Sequence, residues 1–293
     1  MLYFLVVNYY STQFIKSLIK SIRANVETSF RIIIINNSEN DRDIDNLEDD
    51  WVSVFNSGDN IGFGAACNLG IQHIKRLDPA ALIWLINPDT AIHPQADQFL
   101  LRCLYRNPEL AILGTQIVDS SGNKWFGYGG FNKWTGYVGH KLSKYVALDT
   151  DENLTATDWV SGCSMVINLA QFKEMPRFDT DYFLYLEDVD FCIRYAKKGY
   201  KIAVVNREIV THQISAITGK NSRFLFHHYT YGRLLCLSKH ATTLGFLIYC
   251  TYLLVKIPIL FLTSPRNATG RCQGFWDFIH NKQPGKPLPR SAR

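Results

Sequence analysis

The stretch "DYFLYLEDVDFCIRYAKKG", residues 181 to 199, sets three acids, Glu187, Asp188 and Asp190, directly behind an aromatic and aliphatic run. Charge in apolar surroundings costs free energy unless a partner or a reaction uses it. A helix starting near Asp188 places Val189, Cys192, Ile193 and Ala196 on one face, with Gly199 as its C-terminal stop. One acid suffices to cap such a helix, and Asp190 reads as support for the helix start, so Asp190→Asn is expected to change little. A second carboxylate beside Asp188 is left over, and paired carboxylates in an apolar recess are how a general base is made. In "LINPDT", Asn87 and Asp89 stand two residues apart just past an apolar run. They can face one hard cation, or Asp89 can cap the next helix. His212, after "REIVT", is a structural histidine or a metal ligand that would need a partner such as Asp89.

Asn36, Asn37 and Ser38 end another apolar run, where they either cap a turn or meet a ligand. "NIGFGAACNLG" resembles a dinucleotide fingerprint, but Cys67 holds the third glycine position and the stretch follows a third strand rather than a first.

Positioning these groups falls to an alternation of apolar runs and helical patterns. "LYFLVVN", "RIIIIN", "WVSVFN", "ALIWLIN", "LAILGTQIV" and "YKIAVVN" read as strands, several of them apolar throughout. Such strands separated by helical stretches argue an α/β fold, a mostly parallel sheet covered by helices on both faces. The aromatic segment Trp125–Tyr137 breaks the pattern, as a surface for sugar rings or as a packed β-excursion. A short helix is expected before Pro176. Seven cysteines without a CxxC pair read as reduced core thiols of a cytosolic protein. "MLYFLVVNYY" lacks a basic leader and reads as a first strand.

The net charge of +5 belongs to the tail, where six basic residues past position 265 face Asp277 alone. Two helical stretches, about Arg223–His240 and Leu244–Thr263, precede a Pro- and Arg-containing tail. The second is about long enough to span a bilayer, though Lys256 and Pro258 interrupt it. It spans, lies in the membrane plane, or packs on the domain.

In this order, "VVNYYS", "IIINNSEND", "NIGFGAACNLGI", "WLINPDT", "DWVSGCSMVI", "FDTDYFLYLEDVDFCIR" and "HQISAIT" resemble family 2 glycosyltransferases of the GT-A fold, and most closely the rhamnosyltransferase-like branch. The resemblance covers about residues 2–218. It implies a catalytic domain over 1–222 and a helical, membrane-associating region over 223–293. It further implies that Val7, Asn8, Tyr9, Asn36 and Asn37 hold the nucleobase of a nucleotide sugar, and that Asn60, Gly62 and Asn68 line the donor side. Asn87, Asp89 and His212 would hold Mg²⁺ or Mn²⁺, Glu187–Asp188 would supply the base, and Trp159, Ser161 and Gly162 would form the wall where sugar and acceptor meet. Many relatives carry Asp where Asn36 stands, though an amide oxygen can still accept a base N–H. Asn87 replaces the first Asp of the metal motif, as rhamnosyltransferase-like members often do, and one carboxylate instead of two implies weaker metal binding.

The reaction implied is a single displacement with inversion, from dTDP-rhamnose to a glycan on polyprenyl diphosphate. It would take place at the cytoplasmic face of an anionic inner membrane, in surface polysaccharide (O-antigen) synthesis, with no nucleic acid involved. A UDP-hexose donor, an inactive nucleotide-binding scaffold and a dinucleotide-dependent oxidoreductase are the rival readings.

Overall fold

The computed structural model describes residues 1–142, 147–148, 151–213 and 222–284. The chain opens with β1 (Leu2–Asn8), α1 (Thr12–Asn25), β2 (Phe30–Asn36), β3 (Val52–Asn56), α2 (Phe63–Leu77), β4 (Leu82–Ile86), β5 (Thr90–Ile92) and α3 (Ala96–Arg106). Next come β6 (Leu110–Asp119), β7 (Lys124–Phe126), β8 (Tyr128–Asn132), β9 (Tyr137–Lys141), β10 (Ala147–Leu148), β11 (Asp151–Ala156) and β12 (Ser164–Asn168). The last elements are α4 (Glu187–Lys197), β13 (Lys201–His212), α5 (Ser222–His240), α6 (Thr243–Thr263) and α7 (Pro265–Ile279).

One sheet runs β10-β11-β13-β6-β12-β4-β1-β2-β3, with β5 on β13 and β7 on β6. Every residue of β1 is buried, which its apolar sequence requires of a strand covered on both faces. β3, β2, β1 and β4 are parallel, as expected, and β12 enters antiparallel between β4 and β6, so the sheet as a whole is mixed. β1 leads outward to β2 on one side and has β4 on the other. That reversal opens a crevice at the carboxyl ends of these strands, where Asn8, Asn36 and Asn87 emerge.

Three local readings change. The helix expected before Pro176 is a single 3-10 turn, Leu169–Gln171. Trp125–Tyr137 is a β-excursion, with β8 and β9 paired as a hairpin. The tail begins as a 15-residue helix, α7, with Pro265 in its first turn, where a missing N–H costs nothing.

The C-terminal helices are part of the body. Leu234, Cys236 and Leu237 of α5 and Tyr249 and Leu253 of α6 join the common core. α7 runs parallel to α5: Gly270 and Gly274 lie so close to the Arg223 and His227 carbonyls that a Cβ would stand 2.3 and 2.4 Å from them. α6 therefore begins and ends on one body. Thr242 donates to the Lys133 carbonyl through N–H and hydroxyl (2.9 and 3.1 Å), and the far end turns at Ser264 into α7.

Candidate active site

The cradle at the ends of β1 and β2 is a network of amides. Asn8 Nδ2 donates to Asn36 Oδ1 and Asp41 Oδ2, each at 3.0 Å, and Asn36 Nδ2 donates to Asn56 Oδ1 at 2.7 Å. Asn37 Nδ2 donates to Asn60 Oδ1 at 3.0 Å, while Asn37 Oδ1 accepts from Ile61 N–H and Asn60 Oδ1 from Gly62 N–H. Asn8, Asn36, Asn37 and Asn60 are buried and their amides are spent on one another. They shape the ends of these strands, where Asn8, Asn36 and Asn37 are expected at the nucleobase and Asn60 on the donor side. Val7 is likewise a buried core residue, and Tyr9 packs edge-on against Tyr10.

Asp41 is the group that sequence reading missed. Its Oδ2 also accepts from Thr12 Oγ1 (2.9 Å), it is half-buried, and its carbonyl accepts from Asn36 Nδ2 (3.1 Å). The signal was "NDRD" after the strand, ordinary loop composition until folding turns it inward.

Gly62 stands where the chain passes close to a neighbouring loop. At φ +90° it runs so close to Phe183 that a Cβ would stand 2.7 Å from the carbonyl oxygen, and Phe63 N–H bonds that same oxygen at 3.0 Å. Asn68 turns its amide to the backbone of a loop. Its amide clamps the Phe178 backbone in both directions, at 2.7 and 2.9 Å, because a side chain pinned to a loop is worth most where that loop carries the next residues of the site.

Asp89 and His212 come together through β5, which pairs with β13 so that Thr90 faces His212. His212 Nε2 lies 3.2 Å from Asp89 Oδ1, both side chains are buried, and Asp89 Oδ1 and His212 Nδ1 lack a hydrogen-bond partner. Two adjacent ligands of an octahedral cation bound at about 2.1 Å stand about 3 Å apart, so this spacing fits a shared ion. Among the described residues no third His, Cys, Asp or Glu completes a cluster. Asn87 is tied by its own N–H to the Cys163 carbonyl (3.0 Å) and by its carbonyl to Thr90 Oγ1 (2.7 Å). The "ISAIT" part of the last motif lies outside the described residues.

α4 starts at Glu187 after Tyr185 and Leu186, both at positive φ (69° and 74°), a strained entry of the kind found at working sites. Asp188 Oδ2 accepts from Gly162 N–H and Oδ1 from Val189 N–H, both at 2.8 Å, and the residue is half-buried. Burial raises the Asp188 carboxyl, and the backbone N–H groups pull it back. Glu187 is deeper, its Oε2 has no partner, and burial with the Asp188 charge pushes it up to about 8. At neutral pH Asp188 is therefore the better candidate for the ionised member of the pair. Gly162 closes on it, Ser161 Oγ accepts from Cys163 N–H, and Trp159 packs beneath the β8–β9 hairpin, its Nε1 donating to the Gly130 carbonyl at 3.3 Å. The buried Cys163 thiol, raised by burial and then by Asp89 and Asp188, sits between the two acidic groups.

Asp190 does more than support a helix start. It is fully buried, with Arg194 Nε at 2.6 Å and His240 Nε2 at 2.7 Å. Burial pushes its carboxyl up, and those two partners more than offset it. The acid ties α4 to α5, and its earlier reading as nearly dispensable is wrong because His240, fifty residues away, was invisible in the local pattern.

The family model described as "Glycosyl transferase family 2" matches residues 3–165. The N-acetylglucosaminyl-diphospho-decaprenol L-rhamnosyltransferase of Mycobacterium tuberculosis is 27% identical over 198 residues, 60% of this chain and 64% of that protein. The chain thus matches rather less than two thirds of that relative's length. Rhamnosyltransferase WbbL of Escherichia coli is 24% identical over 223 residues, 70% of this chain and 80% of that one. A mannosyltransferase from Pyrobaculum calidifontis, solved with GDP-Man and Mn²⁺, superposes with a TM-score of 0.59 at 11% identity, over 96% of this chain and 87% of that one. The last likeness gives the fold, GT-A.

Proposed function

This glycosyltransferase belongs to family 2, in its rhamnosyltransferase-like branch, and we propose that it transfers L-rhamnose from dTDP-rhamnose, with inversion, to a saccharide on polyprenyl diphosphate. The observation that carries the reading is Asp188: a half-buried carboxylate fixed by the Gly162 N–H, whose charge reaches the same Cys163 thiol as that of Asp89, the partner of His212. Rhamnose as the sugar is supported by the names of both relatives, and a lipid diphosphate acceptor by that of one.

In this reading the amide network holds the crevice open for the nucleotide, and Asp41 accepts the base N–H that an acid at position 36 would otherwise take. Asp89 and His212 hold Mg²⁺ or Mn²⁺, which when bound neutralises charge on the departing diphosphate. Asp188 takes the proton of the acceptor hydroxyl as that oxygen attacks the anomeric carbon, and the carbon–phosphate oxygen bond breaks on the opposite side. Residues 1–222 carry this chemistry and 223–293 seat it on an anionic membrane at the cytoplasmic face. α6 offers Leu247, Leu254, Val255 and Leu262 outward, and with both ends on one body it lies in the membrane plane instead of crossing. Of the tail cations, Lys286, Arg290 and Arg293 lie outside the described residues.

The test is a melting-point screen. A ligand at a hundredfold excess over its dissociation constant stabilises by about 2.7 kcal/mol. dTDP-rhamnose with Mg²⁺ is expected to raise the melting point above UDP-glucose or UDP-galactose, and to be turned over with a polyprenyl-diphosphate saccharide. A shift with a UDP-hexose alone would move the donor to the rival reading; binding without turnover would point to a scaffold.

A further inference from the structure

Arg233 on α5 and Arg271 on α7 are cations in a region almost free of anions. From residue 209 onward the sequence holds one carboxylate, Asp277, and it bonds His227 Nε2 at 2.6 Å. Neither arginine pairs with a carboxylate among the described residues, and the Nε of each is buried without a hydrogen-bond partner. Each guanidinium instead lies over a ring: Arg233 is 4.5 Å from the Tyr249 centroid on α6, and Arg271 is 4.3 Å from that of Phe226 on α5. A ring face attracts a cation without neutralising it. Both residues are half-buried, so their charges are partly withdrawn from water with no carboxylate beside them, an arrangement that favours an anion.

Both cations lie along one face of α5, Arg271 over Phe226 and Arg233 on the helix itself. Phe226, Tyr229 and Arg233 recur at three- and four-residue steps, hence on one face of α5. The Tyr249 hydroxyl is buried and unbonded, and both guanidinium charges act on it, opposing the rise that burial imposes. Around this point α6 turns exposed Tyr252, Leu254 and Val255 outward. Catalysis is close along the chain: Gly232, next to Arg233, packs against the Tyr185 carbonyl and Leu186, the turn that leads into Glu187–Asp188. Arg233 Nη2 reaches the Gly136 carbonyl (3.3 Å) in the turn between β8 and β9.

We propose that Arg233, Arg271 and Tyr249 form a seat for the diphosphate of a membrane-held polyprenyl carrier, with the hydrocarbon chain along the outer face of α6. The inference rests on the lipid-linked acceptor proposed above and adds the residues that hold it. Guanidinium forks suit phosphate oxygens, and the unbonded hydroxyl supplies a further donor.

The experiment measures flotation of the full chain with phosphatidylcholine vesicles carrying undecaprenyl diphosphate, or phosphatidylglycerol at equal charge, in chelator to silence the donor site. The unaltered protein is expected to favour the diphosphate vesicles about tenfold or more, and inorganic pyrophosphate to compete that preference away. Arg233→Gln and Arg271→Gln are expected to abolish the preference without moving donor affinity, and Arg271→Lys to restore part of it. Equal binding to both vesicles would mean headgroup capture, and a preference that survives in Arg271→Gln or resists pyrophosphate would mean a purely structural clamp; each overturns the proposal. Rhamnosyl transfer to the lipid acceptor is scored separately. If transfer occurs and the preference is absent, the seat fails alone; if the preference holds without transfer, the functional reading fails alone.

Discussion

The nucleotide side and the transfer side of the crevice are built on opposite terms. At the ends of β1 and β2 four buried asparagines satisfy one another, so the cradle is complete before anything binds. Across the crevice, Asp89 Oδ1, His212 Nδ1 and Glu187 Oε2 are buried without hydrogen-bond partners, and α4 is entered through strained backbone. A group left unsatisfied costs stability in the resting protein and is retained where an arriving ligand or proton completes it. The first region is organised for shape, the second for chemistry. Substitutions should therefore separate: loss of stability on one side, loss of turnover on the other.

The largest effect is expected at Asp188. A general base contributes about 10²–10⁴-fold in rate, so Asp188→Asn should lower turnover by that much while donor affinity and melting point stay near those of the parent. Steady-state turnover beside donor titration checks this, and a near-normal rate would reduce the pair to a helix cap. Asp89→Ala should remove divalent-cation dependence, with a loss of several kcal/mol in transition-state stabilisation. Asp89 Oδ1 faces His212 Nε2 at 3.2 Å and otherwise lacks a hydrogen bond, so the melting point should fall only slightly. Activity of Asp89→Ala with and without chelator is the readout.

Asp190 crosses the division, since it lies on the catalytic helix yet is fully paired. Asp190→Asn should cost about 3–5 kcal/mol in denaturant unfolding, as expected when a buried ion pair loses one partner. Asn36→Ala, on the nucleotide side, should cost about 1–3 kcal/mol by removing an acceptor of Asn8 Nδ2 and the donor to Asn56 Oδ1 and the Asp41 carbonyl. A stability loss at Asp89 as large as that at Asn36 would break the comparison.

A pH-dependent effect sharpens it. Glu187 is raised in the folded state to about 8 from an ordinary 4.5. Between those values the folded chain holds a proton that the unfolded chain has released, so this group lowers stability as pH rises through that window. Glu187→Gln should flatten that slope and melt higher than the parent at pH 8 but not at pH 4, as thermal unfolding across pH would show.

The sequence by itself determined six of the strands (β1, β2, β3, β4, β6 and β13), their order along the chain, the helix stop at Gly199 (φ +88°) and the family. These rest on apolar runs, turn residues and motif order, which are local and survive without coordinates. Tertiary structure decided what each polar residue is for. Asp41 faces the cradle only after its loop folds in, Asn68 turned out to hold a loop, and Asp190 acquired His240 from fifty residues away. Pairing of β5 with β13 set His212 beside Asp89, and the return of α7 along α5 placed both ends of α6 on one body. Hydrogen bonds and ion pairs act over about 3 Å, and sequence separation says nothing about which side chains close to that distance.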